Sequence, residues 1–96
     1  MPKAYWVAHV TVTDEAAYMK YAALATKAIE AHGGRFLARG GQAIQKEGRA
    51  HPRNVVSEFP SLEAANACYE SDMYQEALSH ARGASERDLV LIEAIE

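Results

Sequence analysis

The chain has 96 residues, 49% of them apolar, with 10 basic against 13 acidic side chains and a formal charge of −3. That size fits one small α+β domain spanning residues 1–96, able to bury roughly 60–65% of its unfolded surface, a marginal fraction that pairing with a second copy often supplements. The charge balance, with no lysine or arginine cluster to track a phosphate backbone, argues against nucleic acid, and no run approaches the roughly 18 consecutive apolar residues of a membrane span.

Ala4 to Val12, AYWVAHVTV, is rich in β-branched and aromatic residues and reads as the first strand. The same opening, MPKAYWVAHV, lacks a signal peptide's apolar region and cleavage site, so a cytoplasmic location is expected. Thr13 is the expected N-cap of the following helix, with Asp14 and Glu15 placing negative charge in the first turn. Along that helix Tyr18, Tyr21, Ala22, Ala25, Ala28, Ile29 and His32 recur at spacings of three and four, a stripe that faces a sheet. Gly33 ends the helix, and His32 at its carbonyl end is accounted for by the helix dipole.

Arg35 to Arg39 is strand two. The polar stretch GGQAIQKEGRAH, Gly40 to His51, predicts a hairpin connection turning near Glu47 and Gly48. Strand three runs from Arg53 to Phe59. Pro60 closes it, and Ser61 caps a short helix through Leu62, Ala65 and Tyr69. Ser71 or Asp72 restarts a helix to about Ala81. Cys68, the single cysteine, excludes an intramolecular disulfide and reads as a buried small hydrophobe in ANACY. After Gly83, ERDLVLIEAIE supplies strand four.

The order βαββαβ is that of a ferredoxin-like, split-βαβ fold with a four-stranded antiparallel sheet. Helices on one face leave the other to be solvated, and a solvated face should alternate cleanly. Leu89, Val90, Leu91 and Ile92 are instead apolar at both parities, and strand one carries Tyr5 and Val7 opposite Trp6, Ala8 and Val10. The expected consequence is a homodimer built sheet to sheet.

These segments also resemble the bacterial domain of unknown function 1330 family, within the dimeric α/β-barrel superfamily. The likeness is carried by YWVAHVTVTD at Tyr5–Asp14, GGRFLARGG at Gly33–Gly41, RNVVSEFPSLEAANACYES at Arg53–Ser71, SDMYQEA at Ser71–Ala77, and Arg82. The resemblance implies a ferredoxin-like fold that dimerises into a barrel. It implies no activity, because the wider superfamily holds cofactor-free oxygenases, isomerases, dehydratases, haem-degrading enzymes and effector-binding modules.

Two charges within strands need a reason. Alternation puts Arg35, Leu37 and Arg39 on one side of strand two and Asn54, Val56 and Glu58 on one side of strand three. If the register joins Arg39 to Glu58, the pair is a structural bridge by default. On the sharper reading Arg39 offers its fork to an anionic or carbonyl-bearing ligand and Glu58 acts as a base. His9 is a second candidate base, against a plainer reading as a core or interface histidine. Tyr18, Tyr21, Tyr69 and Tyr74 come from both helical regions and can line a cleft or fill a core. Arg82 stands near the end of the last helix, either at the mouth of such a cleft or on the helix carbonyls. His51 and His80 receive no role.

No metal is expected, since the four histidines are scattered without ligand spacing. Nor is a cofactor expected, because a nucleophile elbow, a phosphate-cradling glycine loop and a dinucleotide fingerprint are all missing. The functional expectation is a homodimeric small-molecule protein with a cleft between helices and sheet lined by Arg39, Glu58, His9 and the tyrosines. It acts either as a cofactor-independent acid–base enzyme or, alternatively, as a non-catalytic binding or stress-related accessory module with Arg39 and Glu58 purely structural.

Overall fold

The computed structural model describes residues 2–96. Its elements follow the expected order: β1 Ala4–Val12, α1 Glu15–Ala31, β2 Arg35–Arg39, β3 Arg53–Phe59, α2 Leu62–Glu70, α3 Asp72–Ala81 and β4 Ser85–Glu93. The strands form an antiparallel sheet ordered β2-β3-β1-β4. This is the ferredoxin-like arrangement, and within one chain the sheet is open, with β2 and β4 as its edges.

Local chemistry sets the boundaries. The N-cap of α1 is Asp14, not Thr13: the Asp14 carboxylate accepts from the Ala17 N–H at 3.2 Å. Thr13 is held elsewhere, because the N–H groups of Thr13 and Asp14 both donate to the Ala84 carbonyl, at 2.8 and 3.0 Å. Gly33, at φ 81°, adopts the left-handed conformation that stops α1. At Gly34 a Cβ would sit 2.7 Å from both Ile29 Cγ2 and Phe59, so only glycine lets the chain pass between helix and strand there. Ser71 explains the break between α2 and α3. Its hydroxyl donates to the Cys68 carbonyl at 2.7 Å and accepts from the Tyr74 N–H at 3.1 Å, ending one helix and starting the next.

The core lies between the helices and one face of the sheet. Along β1 alternate residues Ala4, Trp6, Ala8 and Val10 are buried, as the strand period requires. Trp6 is its centre, with ring centroids 5.3 Å from Phe59, 5.0 Å from Tyr74 and 6.0 Å from Tyr69. Pairing places four rungs on this helix-covered face: Phe59–Ala4–Glu93, Ser57–Trp6–Leu91, Val55–Ala8–Leu89 and Arg53–Val10–Arg87. The opposite, helix-free face carries Glu58–Tyr5–Ile92, Val56–Val7–Val90 and Asn54–His9–Asp88.

Strand two departs from simple alternation. Arg35 pairs with Glu58 and Phe36 with Ser57, but Ala38 then pairs with Val56 and Arg39 with Val55, the register shifting between Phe36 and Ala38. The extra residue, Leu37, bulges out and is exposed. One inserted residue moves every later side chain to the other face. Arg39 therefore joins Phe36 on the helix-covered side, while Arg35 and Glu58 stay on the helix-free side.

Candidate functional site

Arg39 and Glu58 do not pair; the bulge at Leu37 sets them on opposite faces of the sheet. Glu58 instead accepts from Arg35 Nε at 3.3 Å and Nη2 at 3.2 Å, and lies 3.4 Å from Lys3 Nζ. Arg39 lies 4.1 Å over the Phe36 ring and its Nη2 donates to Thr26 Oγ1 at 2.7 Å. Thr26 is fixed in turn by donating to the Ala22 carbonyl at 2.8 Å. The grouping of Arg39, Glu58, His9 and tyrosines in one cleft is thus divided: Arg39, Tyr18 and Tyr21 stand on one side, His9 and Glu58 on the other.

On the helix-free face His9 donates through Nδ1–H to Asn54 Oδ1 at 2.6 Å and stacks at 6.3 Å from His51. His51 is held between Thr11 Oγ1, 2.9 Å from its Nδ1, and Asp88, 3.5 Å from its Nε2. Asn54 completes the network by donating through Nδ2 to the His51 carbonyl at 3.2 Å. Among the described residues no set of three histidine, cysteine, aspartate or glutamate side chains is arranged to hold a metal.

A small, partly open cavity lies on the other side, between α1 and the sheet. Tyr18, Tyr21, Ala22, Ala25 and Ile29 of α1 form its roof, and Trp6, Ala8, Val55, Ser57 and Phe36 its floor. Three arginines complete the lining: Arg39, Arg53 and Arg87. No carboxylate, histidine or lysine contributes to it. The space is about 40 Å³, room for roughly two or three water molecules.

Topology explains why the arginines converge. Val10, fully buried, pairs with Arg53 on one side and Arg87 on the other. The two arginines therefore share a rung and a face, with Cα atoms about 10 Å apart across two strand spacings. Arg39 stands on the preceding rung through its pairing with Val55. The Arg53 guanidinium lies 5.7 Å from the Tyr18 ring and that of Arg87 4.6 Å from the Tyr21 ring, while the two rings are 5.0 Å apart. A row of cation, ring, ring, cation runs beneath α1.

Arg87 Nη2 donates to Tyr21 Oη at 2.7 Å and to Tyr74 Oη at 3.2 Å, and the two hydroxyls share a 2.7 Å hydrogen bond. Burial, reinforced by the neighbouring phenol, pushes Tyr21 well above the ordinary tyrosine range, and burial does the same for Tyr74. Both phenols stay neutral and act as hydrogen-bonding groups. In contrast, Nε of Arg53 and Nε of Arg87 are buried with no hydrogen-bond partner. Neither arginine nor Arg39 has a carboxylate within salt-bridge distance among the described residues. Like charges gathered in one cleft repel, and no counter-charge among the described residues offsets this.

The remaining sequence candidates fall outside this cavity. Tyr69 packs on Trp6 and Tyr74 and lines a second groove with Arg82 and Leu89, on the other side of Arg87, which borders both. The backbone N–H of Arg82 ends α3 by donating to the Leu78 carbonyl at 3.1 Å. His32 Nδ1 bonds the Ala28 carbonyl at 2.8 Å, in keeping with its place at the carbonyl end of α1. Arg53 and Arg87 were missed, although a signal existed. Arg53 shares its parity with Val55, Ser57 and Phe59, and Arg87 shares its parity with Leu89 and Leu91, so both are charges written into an inward-facing row.

The family described as domain of unknown function (DUF1330) matches residues 3–95. Solved structures share the fold at low identity. A protein of unknown function from Rhodopseudomonas palustris, in methylated form, superposes with a TM-score of 0.81 at 18% identity, covering 99% of this chain and 82% of that one. A dimeric ferredoxin-like protein of unknown function from Jannaschia sp. CCS1 gives 0.72 at 13%, covering 96% and 99%. SnoaB of Streptomyces nogalater, described as a cofactor-independent oxygenase, gives 0.70 at 12%, covering 100% and 96%. No curated protein matches the chain. At these identities the neighbours establish the fold alone.

Proposed function

We propose that this chain, which belongs to the DUF1330 family, binds a small molecule in the cleft between α1 and the sheet and works as a homodimer joined through the helix-free sheet face. The observation that carries the binding reading is the cavity itself, apolar and aromatic with three arginines that no protein carboxylate neutralises. Concave apolar sites with a few convergent polar groups are where ligands bind. The lining offers hydrogen-bond donors and neutral phenols but no histidine or carboxylate, which favours binding over acid–base turnover in this cleft. Any such chemistry by His9 or Glu58 belongs to the other face.

The dimer reading rests on that other face. Val56, Val7 and Val90 form one rung and Tyr5 and Ile92 part of the next, with Val90 and Ile92 54% and 55% exposed. A contiguous apolar strip on a sheet marks an interaction surface. A second copy presents the same strip and closes the contact symmetrically; the Jannaschia protein of the same fold is described as dimeric.

Two measurements test the proposal. In light scattering at micromolar concentration the protein should run as a dimer and Ile92→Arg as a folded monomer; a monomeric wild type defeats the dimer reading. In a thermal-shift screen of small aromatic and aliphatic compounds, hits should lose their effect in Ala22→Trp, which fills the cleft roof. Hits untouched by that substitution would place binding elsewhere.

A further inference from the structure

Resting on the cleft-binding reading above, we infer that the ligand is a carboxylate carried on a flat apolar or aromatic body, with its two oxygens taken by Arg53 and Arg87. The register puts these arginines on one rung, either side of buried Val10, beneath Tyr18 and Tyr21. Two half-buried cations that line one cleft and have no carboxylate within salt-bridge distance among the described residues lack counter-charge; a single bound anion relieves both.

The size of the cleft selects the kind of anion. Arg87 has committed Nη2 to the hydroxyls of Tyr21 and Tyr74, which fixes the guanidinium in place. Its Nε–H is left without an acceptor, as is that of Arg53. Each arginine thus keeps N–H donors, the Nη groups of Arg53 among them, to answer the two oxygens of a carboxylate. A carboxylate is planar and smaller than a phosphate or sulfate, and so suits the limited space and the flat guanidinium edges. A space of about 40 Å³ holds a carboxylate head, whereas a whole ligand needs several hundred Å³. The body of the ligand therefore extends along Trp6, Phe36, Val55 and Ile29 toward Arg39, whose exposed side chain lies at the rim and moves aside without disturbing the core.

Tyr18 and Tyr21 suit a flat body because their rings already stand at stacking distance from each other and from the two cations. No proton transfer enters the proposal, since both Tyr21 and Tyr74 are held neutral by burial.

The test uses the whole protein and reads the arginine side chains directly. In ¹H–¹⁵N spectra the Nε–H signals are assigned by their loss in Arg53→Lys and Arg87→Lys. Benzoate is then titrated against benzamide, the same shape without the charge, and against inorganic phosphate. The expected result is saturable movement of both Nε–H signals with benzoate, movement at least tenfold weaker with benzamide, and little with phosphate. Arg53→Gln and Arg87→Gln should each weaken benzoate binding at least tenfold while the backbone spectrum stays that of the folded protein. Benzamide binding as tightly as benzoate overturns the anion assignment and leaves the cleft-binding reading intact. Phosphate moving the same signals as strongly overturns the carboxylate class. If none of the three moves any cleft resonance in the millimolar range, both the inference and the cleft-binding reading fall.

Discussion

On the helix-free face Glu58 is met by Lys3 and Arg35, His9 by Asn54, and His51 by Thr11 and Asp88. On the helix-covered face Arg53 and Arg87 flank Val10, and among the described residues no carboxylate lies within salt-bridge distance of either. Both faces set polar groups among apolar neighbours, but one completes its own pairs and the other leaves them open. A completed pair explains itself as structure. A half-buried cation without a counter-charge costs free energy in the folded state, and its retention points to something outside the chain.

The largest expected effect comes from asking whether the two faces differ in packing as well as charge. Trp6→Ala removes the ring that stacks on Phe59 and meets Tyr69 and Tyr74, and should cost about 3–5 kcal/mol in denaturant unfolding. Tyr5→Ala, one residue away and pointing to the helix-free side, should cost much less per chain and act mainly on dimer dissociation. Equal losses under dilute, monomeric conditions would mean that the helix-free face is as self-sufficient as the core.

Charge deletion sharpens the contrast because the two faces should respond with opposite signs. Arg53→Leu replaces a cation whose Nε is buried and unpaired with an apolar group among Val55 and Val10. It should raise unliganded stability by about 1 kcal/mol. Glu58→Gln breaks two bridges to side chains that are 55% and 69% exposed and should lose no more than about 1 kcal/mol. Chemical denaturation of both variants checks the signs; a loss at Arg53 would show that its charge is already satisfied within the protein.

Element order and nearly all boundaries were legible because they depend on local signals: alternation in β1, the three–four stripe of α1, glycine after the helix, serine at Ser61 and Ser71. The first cap slipped by one residue because the whole Thr13–Asp14 turn is pinned to Ala84, 71 positions from Thr13 by number, and from there it is the Asp14 carboxylate that meets the Ala17 N–H. The site was harder for the same physical reason, magnified. Alternation assumes an unbroken strand, and the bulge at Leu37 violates it, carrying Arg39 to the face opposite Glu58. A bulge leaves little mark in RFLAR, where no glycine announces it. Arg53 and Arg87 become neighbours only through Val10, from strands that are 34 residues apart in numbering. Their inward parity was visible; their shared rung needed the register.

The smallest effect concerns Cys68, which lies wholly buried between α2 and α1, its Sγ–H donating to the Ala28 carbonyl at 3.6 Å. Burial pushes its thiol from 9.0 up to about 12. Above pH 9 the unfolded chain therefore releases this proton while the folded chain keeps it, so the folded state binds more protons and loses stability as pH rises. The contribution is fully present below the unfolded value, near 9, and is lost as pH climbs toward the folded one. Its slope is at most about 1.4 kcal/mol per pH unit. Between pH 9 and 10 Tyr21 and Tyr74, whose ordinary value is 10.0, add a loss of the same sign, common to wild type and Cys68→Ala, so the difference between the two proteins isolates the thiol. Unfolding midpoints measured across that interval should fall for the wild type and stay flatter for Cys68→Ala, with the two slopes alike between pH 7 and 8. Identical slopes throughout would mean that Cys68 ionises as freely in the folded chain as in the unfolded one, and that the helix-covered side is more open to water than its packing indicates.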